Sequence, residues 1–583
     1  MLERLRPLAP YLKRYRSSLA WGGLSVVLYN CSKILMPLLI GRAVDDLSRH
    51  VRETDVVHDA LGLLGVAAVA AVFLYLTRWI IIGASREIEF DLRNDLFANL
   101  ERQPPSFYHE HRTGDIMART TNDLNAVRQL LGPAIMYSAN TVVFTLAALP
   151  FMIRMSPRLT LFAFLPLPVA SLLVQTMGRR IHRRFERIQA MFSDISAQAQ
   201  ENFAGARLVR AYAQEEPEIA RFETANQEYI RRSLRLVRLM AMLWPTLEFV
   251  LGISLVATLF FGGREVVQHR ISVGQFTAYM VYMVQLIWPM IALGWVVNLF
   301  QRGTASVERI DQLLRQKPAI WDDAATVKTT LPNLVGDIEF RGLNFRYGQG
   351  AAILRDIDLH IPAGSSLAIV GPTGSGKTTL VNLIPRLLDA DPGMVLLDGR
   401  PIREWPIATL RESIGFVPQE TFLFSHTIEE NIAFGVPGAT ADQVRRAAAS
   451  AYIATEIEEF PHGFRTIVGE RGITLSGGQK QRTSIARALL RDPRILILDD
   501  ALASVDTYTE ERILASLRDQ MQGRTTILIS HRVSTAQSAD KIAVLVDGRI
   551  VETGTHEELI SAGGYYRELY QKQQLEEEIA VEV

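Results

Sequence analysis

Nine consecutive residues, Gly371, Pro372, Thr373, Gly374, Ser375, Gly376, Lys377, Thr378 and Thr379, have the types and spacing to hold a polyphosphate. They follow the apolar run Ser366–Val370 and lead into Leu380–Ile384, so this stretch reads as strand, glycine loop, helix. Glycines lack the Cβ atoms that would collide with an anion, and their backbone N–H groups can close around it. Lys377 adds positive charge against the outer phosphates, the Thr378 hydroxyl can reach Mg2+, and the helix N-terminus contributes its dipole. The spacing predicts binding of a nucleoside triphosphate, and leaves open what its hydrolysis drives.

Three further stretches could serve the same chemistry. Ile495–Asp499 is an apolar strand ending in an acid, the kind of carboxylate that holds Mg2+ beside a phosphate loop, so Thr378 and Asp499 are expected to converge across neighbouring strands. Leu475–Arg482 opens a helix in which Ser476, Gly477 and Gly478 would expose a second anion-binding N-terminus. Thr526–His531 is a second buried strand that delivers His531 to its C-terminal end, where ligands gather in doubly wound sheets. Tyr347, in Phe345–Tyr347, can stack on an adenine ring or simply pack. Strands and helices alternate from Ile338 onward, which predicts a layered α/β domain.

The elements before this domain have a different character. The 583 residues are too many for one core, and 48% hydrophobic content beside 21% charged residues suggests an apolar half joined to a soluble half. With 62 basic and 62 acidic residues the net charge is zero, which gives no support for bulk nucleic-acid binding. The lone Cys31 excludes an intrachain disulfide and a cysteine metal site, and no cleavable signal peptide is expected at the start. Six apolar stretches of spanning length run roughly 19–40, 60–82, 131–153, 159–177, 239–261 and 276–300. Lys/Arg residues number five in the N-terminal segment, six in the connection Arg86–Arg128 and twelve in Arg179–Arg238, against seven in the three short connections together. The positive-inside rule then puts both long connections and both termini in the cytoplasm. Residues 1–16 alternate apolar and basic side chains and suit an amphipathic segment on the membrane surface or a solvated tail.

Arg78, near the cytoplasmic end of the second span, and Glu248, within the fifth, are costly in a bilayer; each can face a cavity, snorkel or cap a helix contact. Trp244-Pro245 and Trp288-Pro289 occupy corresponding places in spans five and six, where proline marks a kink or unwinding and tryptophan can line a cavity or pack. The long connections carry helical patterns around a glycine break, with Phe107, Tyr108 and Tyr212 suited to contact another domain.

The residues from about Asp337 to Tyr570 resemble the nucleotide-binding domain of the ATP-binding cassette (ABC) superfamily, and the six spans before them resemble its exporters with one membrane domain and one cassette per chain. The implied fold is an all-α six-helix transmembrane domain over 1–318, a linker over 319–335, an α/β phosphate-loop cassette over 336–575 and an acidic tail over 576–583. The resemblance implies that Tyr347 is the adenine-stacking aromatic, Gly371–Thr379 the Walker A loop, Gln419 the loop glutamine reaching Mg2+, and Glu470 part of the exporter-specific loop that contacts the cytoplasmic helices. It implies too that Ser476, Gly477, Gly478 and Gln479 form the signature that caps a partner's ATP, that Asp499 is the Walker B acid, Asp506 the interface aspartate and His531 the switch histidine. The regions around Thr113–Asp123 and Ala211–Glu216 look like the two coupling regions. A second half-transporter is implied, since one cassette cannot complete a site.

One position departs from that pattern. The residue after the Walker B acid, usually the glutamate that polarises the attacking water, is Asp500. Its side chain is one methylene shorter, about 1.5 Å, and a displacement near 1 Å can cost about 100-fold in rate. The run Leu498–Asp506 resembles the degenerate-site subunits of heterodimeric bacterial multidrug exporters. The expectation is ATP-driven export of amphipathic small molecules, of multidrug or lipid type, across the bacterial cytoplasmic membrane by a heterodimer, with a homodimeric lipid or peptide exporter and an ATP-gated channel or signalling ATPase as the alternatives. Membrane lipids are expected as neighbours, and nucleic acid is not expected as a partner.

Overall fold

The computed structural model describes residues 3–48, 53–322, 326, 334–469, 472–503 and 507–582. Glu470 and Asp506 lie outside the described residues, as does the side chain of Trp288. The chain forms two compact units, one of Met1–Ala98 with Gly114–Arg315 and one of Asn99–Thr113 with Gln316–Val583.

The first unit is helical throughout. Its long helices are Arg16–Leu47, Glu53–Glu101, Ile135–Met155, Leu167–Ala204, Glu215–Val267 and Val273–Arg315. Among the described residues, four continuous helical runs, Arg16–Leu47, Glu53–Glu101, Thr113–Met155 and Glu215–Val267, are long and apolar enough to cross a membrane, and Val273–Ile287 is a shorter apolar stretch. The 49 residues of Glu53–Glu101 extend about 73 Å at 1.5 Å per residue, far beyond a hydrocarbon core of about 30 Å. Helices therefore continue well past the spans expected over 60–82 and 239–261. The hairpin expected around Gly205 is present: Leu167–Ala204 ends there, Ala206–Ala211 follows, and Glu215–Val267 returns.

Prolines behave unequally. The helices run unbroken through Pro245 and Pro289, so neither marks unwinding. The fourth span instead breaks between Phe164 and Leu167, where Pro166 and Pro168 remove two N–H donors within three residues. Two π-helical turns, Arg119–Asp123 and Leu130–Ala134, interrupt the run into the third span. The N-terminal segment meets protein: Tyr11 donates to Asp95 at 2.6 Å, Arg14 to Asp91 at 3.0 Å, and Leu8 is buried.

Spans one and six approach closely at Gly41 and Gly274. A Cβ on Gly274 would fall 1.9 Å from the Gly41 carbonyl oxygen, so only glycine fits. Asp45 locks this contact, accepting from Ser272 Oγ at 2.5 Å and the Gly274 N–H at 2.7 Å.

The second unit is the layered α/β domain that the alternation predicts. Its strands are β1 (Ile338–Arg346), β2 (Ala352–Ile361), β3 (Ser366–Val370), β4 (Val395–Leu397), β5 (Arg400–Pro401), β6 (Ile414–Val417), β7 (Ile495–Asp499), β8 (Thr525–Ile529), β9 (Lys541–Val546) and β10 (Arg549–Gly554). A four-stranded antiparallel sheet has the order β2-β1-β4-β5, and a six-stranded sheet the order β10-β9-β3-β8-β7-β6, parallel except at β10. Residues of both sheets share one core around Phe340, Ile369, Trp405 and Ile497. A second core joins β6 and β7 to the helices Ala441–Ser450 and Gly477–Leu490. Every residue of β3, β7 and β8 is buried, as parallel strands covered on both faces require.

Candidate nucleotide site

β3 and β7 flank β8, so the loop after β3, the acid ending β7 and the residues after β8 open at one edge of the sheet. They line a single cavity of about 260 Å³, together with Tyr347, Ile353 and Gln419. Its walls include Thr373, Gly374, Gly376, Lys377, Thr378, Thr379, Asp499, Asp500 and His531. Gly371, Pro372 and Ser375 stand behind this wall. A Cβ on Gly371 would fall 2.0 Å from the Leu545 carbonyl oxygen, and Gly371, Gly374 and Gly376 all take positive φ. The glycines of this loop are therefore required by backbone shape and by crowding.

Lys377 is buried and donates to the carbonyls of Gly371 at 2.9 Å and Pro372 at 3.0 Å, which bends the loop back over its own start. Burial pushes its pKa down, against the nearby carboxylates of Asp500 and Asp499. Thr378 Oγ1 donates to Asp499 Oδ1 at 3.1 Å, so the expected convergence across strands occurs. Among the described residues, the other oxygen of Asp499, Oδ2, is buried without a partner. Burial raises the Asp499 pKa and the Asp500 charge adds to the rise, while the Thr378 hydrogen bond and Lys377 oppose it. A buried carboxylate oxygen without a donor, beside a hydroxyl and the Gln419 side chain, is the hard oxygen set that suits Mg2+. Thr378, Asp499 and Gln419 would hold the ion.

Asp500 has φ 49, in the left-handed region, where its N–H donates to the Ile529 carbonyl at 2.9 Å. Aspartate tolerates this conformation better than most residues. Tyr347 is half exposed and its hydroxyl lies 3.2 Å from Thr379 Oγ1, leaving a ring face open beside the loop.

Ser476, Gly477, Gly478 and Gln479 do not line the cavity. They open the helix Gly477–Leu490 through a capping box, in which Ser476 Oγ accepts from the Gln479 N–H and Gln479 Oε1 accepts from the Ser476 N–H. Gln479 and Arg482 both bond Glu456, so the helix start is held from below while its N-terminal face remains open. The cavity falls below the roughly 300–1,000 Å³ usual for a ligand site, as fits a site with one wall in another chain. In the helical unit Glu248 and Trp244 are exposed on Glu215–Val267.

Two groups of residues escape a motif-based reading. Glu510 bonds Arg532 and Thr535, and Gln573 accepts from the Val533 N–H at 2.7 Å and donates to the His531 carbonyl, so the His531 loop is clamped from both sides. These contacts carry no sequence signal. Lys33 lies within the first apolar run, and its charge there is a signal that the reading of Arg78 and Glu248 passed over.

Comparison with known proteins agrees with this geometry. The family described as ABC transporter transmembrane region matches residues 19–290, and that described as ABC transporter matches residues 354–503. The chain is 35% identical over 579 residues, 99% of its length and 98% of the relative's, to the probable multidrug resistance ABC transporter ATP-binding/permease protein YheI of Bacillus subtilis (strain 168). It is 36% identical to the multidrug resistance-like ATP-binding protein MdlA of Escherichia coli (strain K12), over 93% of this chain and 92% of that one. An ATP-dependent lipid A-core flippase of Syntrophus aciditrophicus (strain SB) is 38% identical over 85% of this chain and 82% of its own length. A solved bacterial Atm1-family ABC exporter with ATP bound superposes with a TM-score of 0.78 and 27% identity, covering 96% of this chain and 99% of that chain.

Proposed function

The chain belongs to the ABC transporter family, with the membrane region and the cassette fused in one polypeptide, and on that premise we propose that it is the degenerate-site half of a heterodimeric exporter of amphipathic small molecules. It is an ABC exporter that binds ATP and couples its hydrolysis to transport. Everything finer is proposal: multidrug-type or lipid-type cargo, the cytoplasmic membrane of a bacterium, termini and cassette inside the cell, and the boundaries at 318, 335 and 575.

The observation that carries the reading is the cavity, which gathers Lys377, Thr378, Asp499, Gln419 and His531 around Asp500 and has none of Ser476–Gln479 in its wall. In the proposed assembly, the Walker A loop binds the phosphates, and Thr378, Asp499 and Gln419 hold Mg2+, which neutralises phosphate charge when bound. His531 would act at the γ-phosphate, and Asp500 would take the general-base position while falling short of the water. This chain's Ser476–Gln479 cap the ATP of the second chain, which supplies a glutamate and the faster turnover. Exposed Tyr212 and Leu208 at the tip of the second cytoplasmic hairpin support its docking on a cassette. The multidrug and lipid names of the relatives support an amphipathic cargo.

Inverted membrane vesicles carrying the assembled transporter test the export reading. ATP-dependent accumulation of an amphipathic dye against its gradient is expected. Flux that only follows the gradient, with or without ATP, would support a channel and defeat the pump.

A further inference from the structure

Lys33 is an ammonium inside the first apolar run, and among the described residues no anion pairs with it. It lies seven residues before Ile40, the outer end of the first apolar run, or about 10 Å deep at 1.5 Å per residue. A lysine stem extends about 6 Å, so it cannot snorkel to that surface. Arg78, four residues from Ile82 at the inner end of its span, can. Among the described residues Lys33 forms no ion pair; its Nζ stands 4.6 Å from the ring centroid of Phe144, a fully buried side chain of the third span. The lysine therefore faces the bundle, where an uncompensated charge is costly.

Amides gather around it. One turn inward, Asn30 Nδ2 donates to Asn140 Oδ1 at 2.9 Å, which leaves the Asn140 amide nitrogen as a further donor. Asn140 precedes Phe144 by four residues and so shares its helix face. The sixth span closes the third side: Tyr282 donates to the Ile34 carbonyl at 2.6 Å. Gln285, one turn further along that antiparallel helix and so level with Asn30 and Cys31, has a buried amide oxygen with no partner among the described residues, an acceptor suited to an ammonium. A cation, an amide donor with unused hydrogen-bonding capacity and an aromatic wall make a recognition point, not a packing contact.

We propose that Lys33, with Asn140, binds the acidic head of an amphipathic substrate, a carboxylate, sulfate or phosphate carried on an apolar body. The proposal rests on the exporter reading and names its substrate class. The cargo supplies the counter-ion for Lys33, and the Asn140 amide N–H groups add hydrogen bonds that a desolvated oxyanion requires. Glu248, the acid identified within the fifth span, is exposed and makes no ion pair with Lys33 in this chain.

Two probes of equal chain length, dodecyl phosphate and dodecyltrimethylammonium, are titrated below their micellar concentrations onto the assembled transporter in nanodiscs, without nucleotide. The wild type is expected to prefer the phosphate. K33M should weaken dodecyl phosphate by about tenfold or more, which is about 1.4 kcal/mol, and leave the cationic probe unchanged. K33R should retain the preference. A wild type without preference, or a K33M variant with the wild-type preference, overturns the proposal. So does a K33M variant that loses assembly by size-exclusion chromatography while keeping the preference, which would make Lys33 a counter-ion for the second chain. Because binding is read directly, failure of ATP-driven accumulation in vesicles would remove the pump and leave this result standing.

Discussion

Asp499 ends a fully buried strand with one oxygen bonded to Thr378 and the other without a partner among the described residues. Burial holds its pKa above the ordinary aspartate value, so its protonated form is the one that stabilises the empty protein. That contribution is complete below the unfolded-state value and is lost as pH rises through the folded-state value. The ionised form of Asp499 therefore costs the empty site stability and attracts a cation. D499N should raise the stability of the nucleotide-free protein by about 1 kcal/mol and abolish the extra stabilisation by Mg-ATP over ATP with a chelator, both read by thermal unfolding. In the wild type that Mg2+-dependent increment should shrink as pH falls toward the raised Asp499 range. An increment that survives D499N would remove Asp499 from the metal site. Phosphate-loop residues, Asp499 and His531 were legible in the sequence because phosphate chemistry fixes residue type at close spacing. The left-handed backbone at Asp500 and the Gln573 clamp were not, since both arise from chain crossings distant in sequence. Lys33 was legible and overlooked, one charge in an apolar run.

At the scale of elements, the Asp123–Arg309 pair ties the π-helical turn Arg119–Asp123 to the C-terminal part of Val273–Arg315. Arg309 bonds both Asp123 oxygens, Nε at 2.8 Å and Nη2 at 2.5 Å, and Ser306 adds a third bond at 2.8 Å. Burial pushes the Asp123 pKa up, but the Arg309 and Ser306 bonds outweigh it and hold the carboxyl below its usual range. A depressed carboxylate stabilises the fold above its unfolded-state pKa, and that stability is lost as pH falls through the folded-state value. D123A should cost about 1 kcal/mol, and R309A added to it should cost little more, because the two share one interaction. Denaturant unfolding of the single and double variants checks this; fully additive losses would mean the pair does not act as a unit. The apolar runs were readable as spans because hydropathy alone decides them. Which proline breaks a helix was readable only from clustering: Pro166 and Pro168 act together, whereas Pro245 and Pro289 stand alone in helices long enough to absorb a missing donor.

At the scale of the molecule, the chain holds the parts of two half-sites. One is a phosphate cavity without a signature in its wall, and the other a capped helix start whose serine and glycines do not line that cavity. Residue spacing identified both, but only the family resemblance said that they belong to different ATP molecules. The proposal that this chain carries the slow half rests on Asp500, because a carboxylate withdrawn by about 1.5 Å would lose its hold on the attacking water. The most direct measurement is ATP turnover by the purified chain alone, by its D500E variant, and by the chain with the half-transporter that co-purifies with it. The account predicts slow turnover alone, a rise of up to about 100-fold on D500E wherever two copies assemble, and fast turnover in the pair. A lone wild-type chain that matches the pair, with nothing gained from D500E, would contradict it.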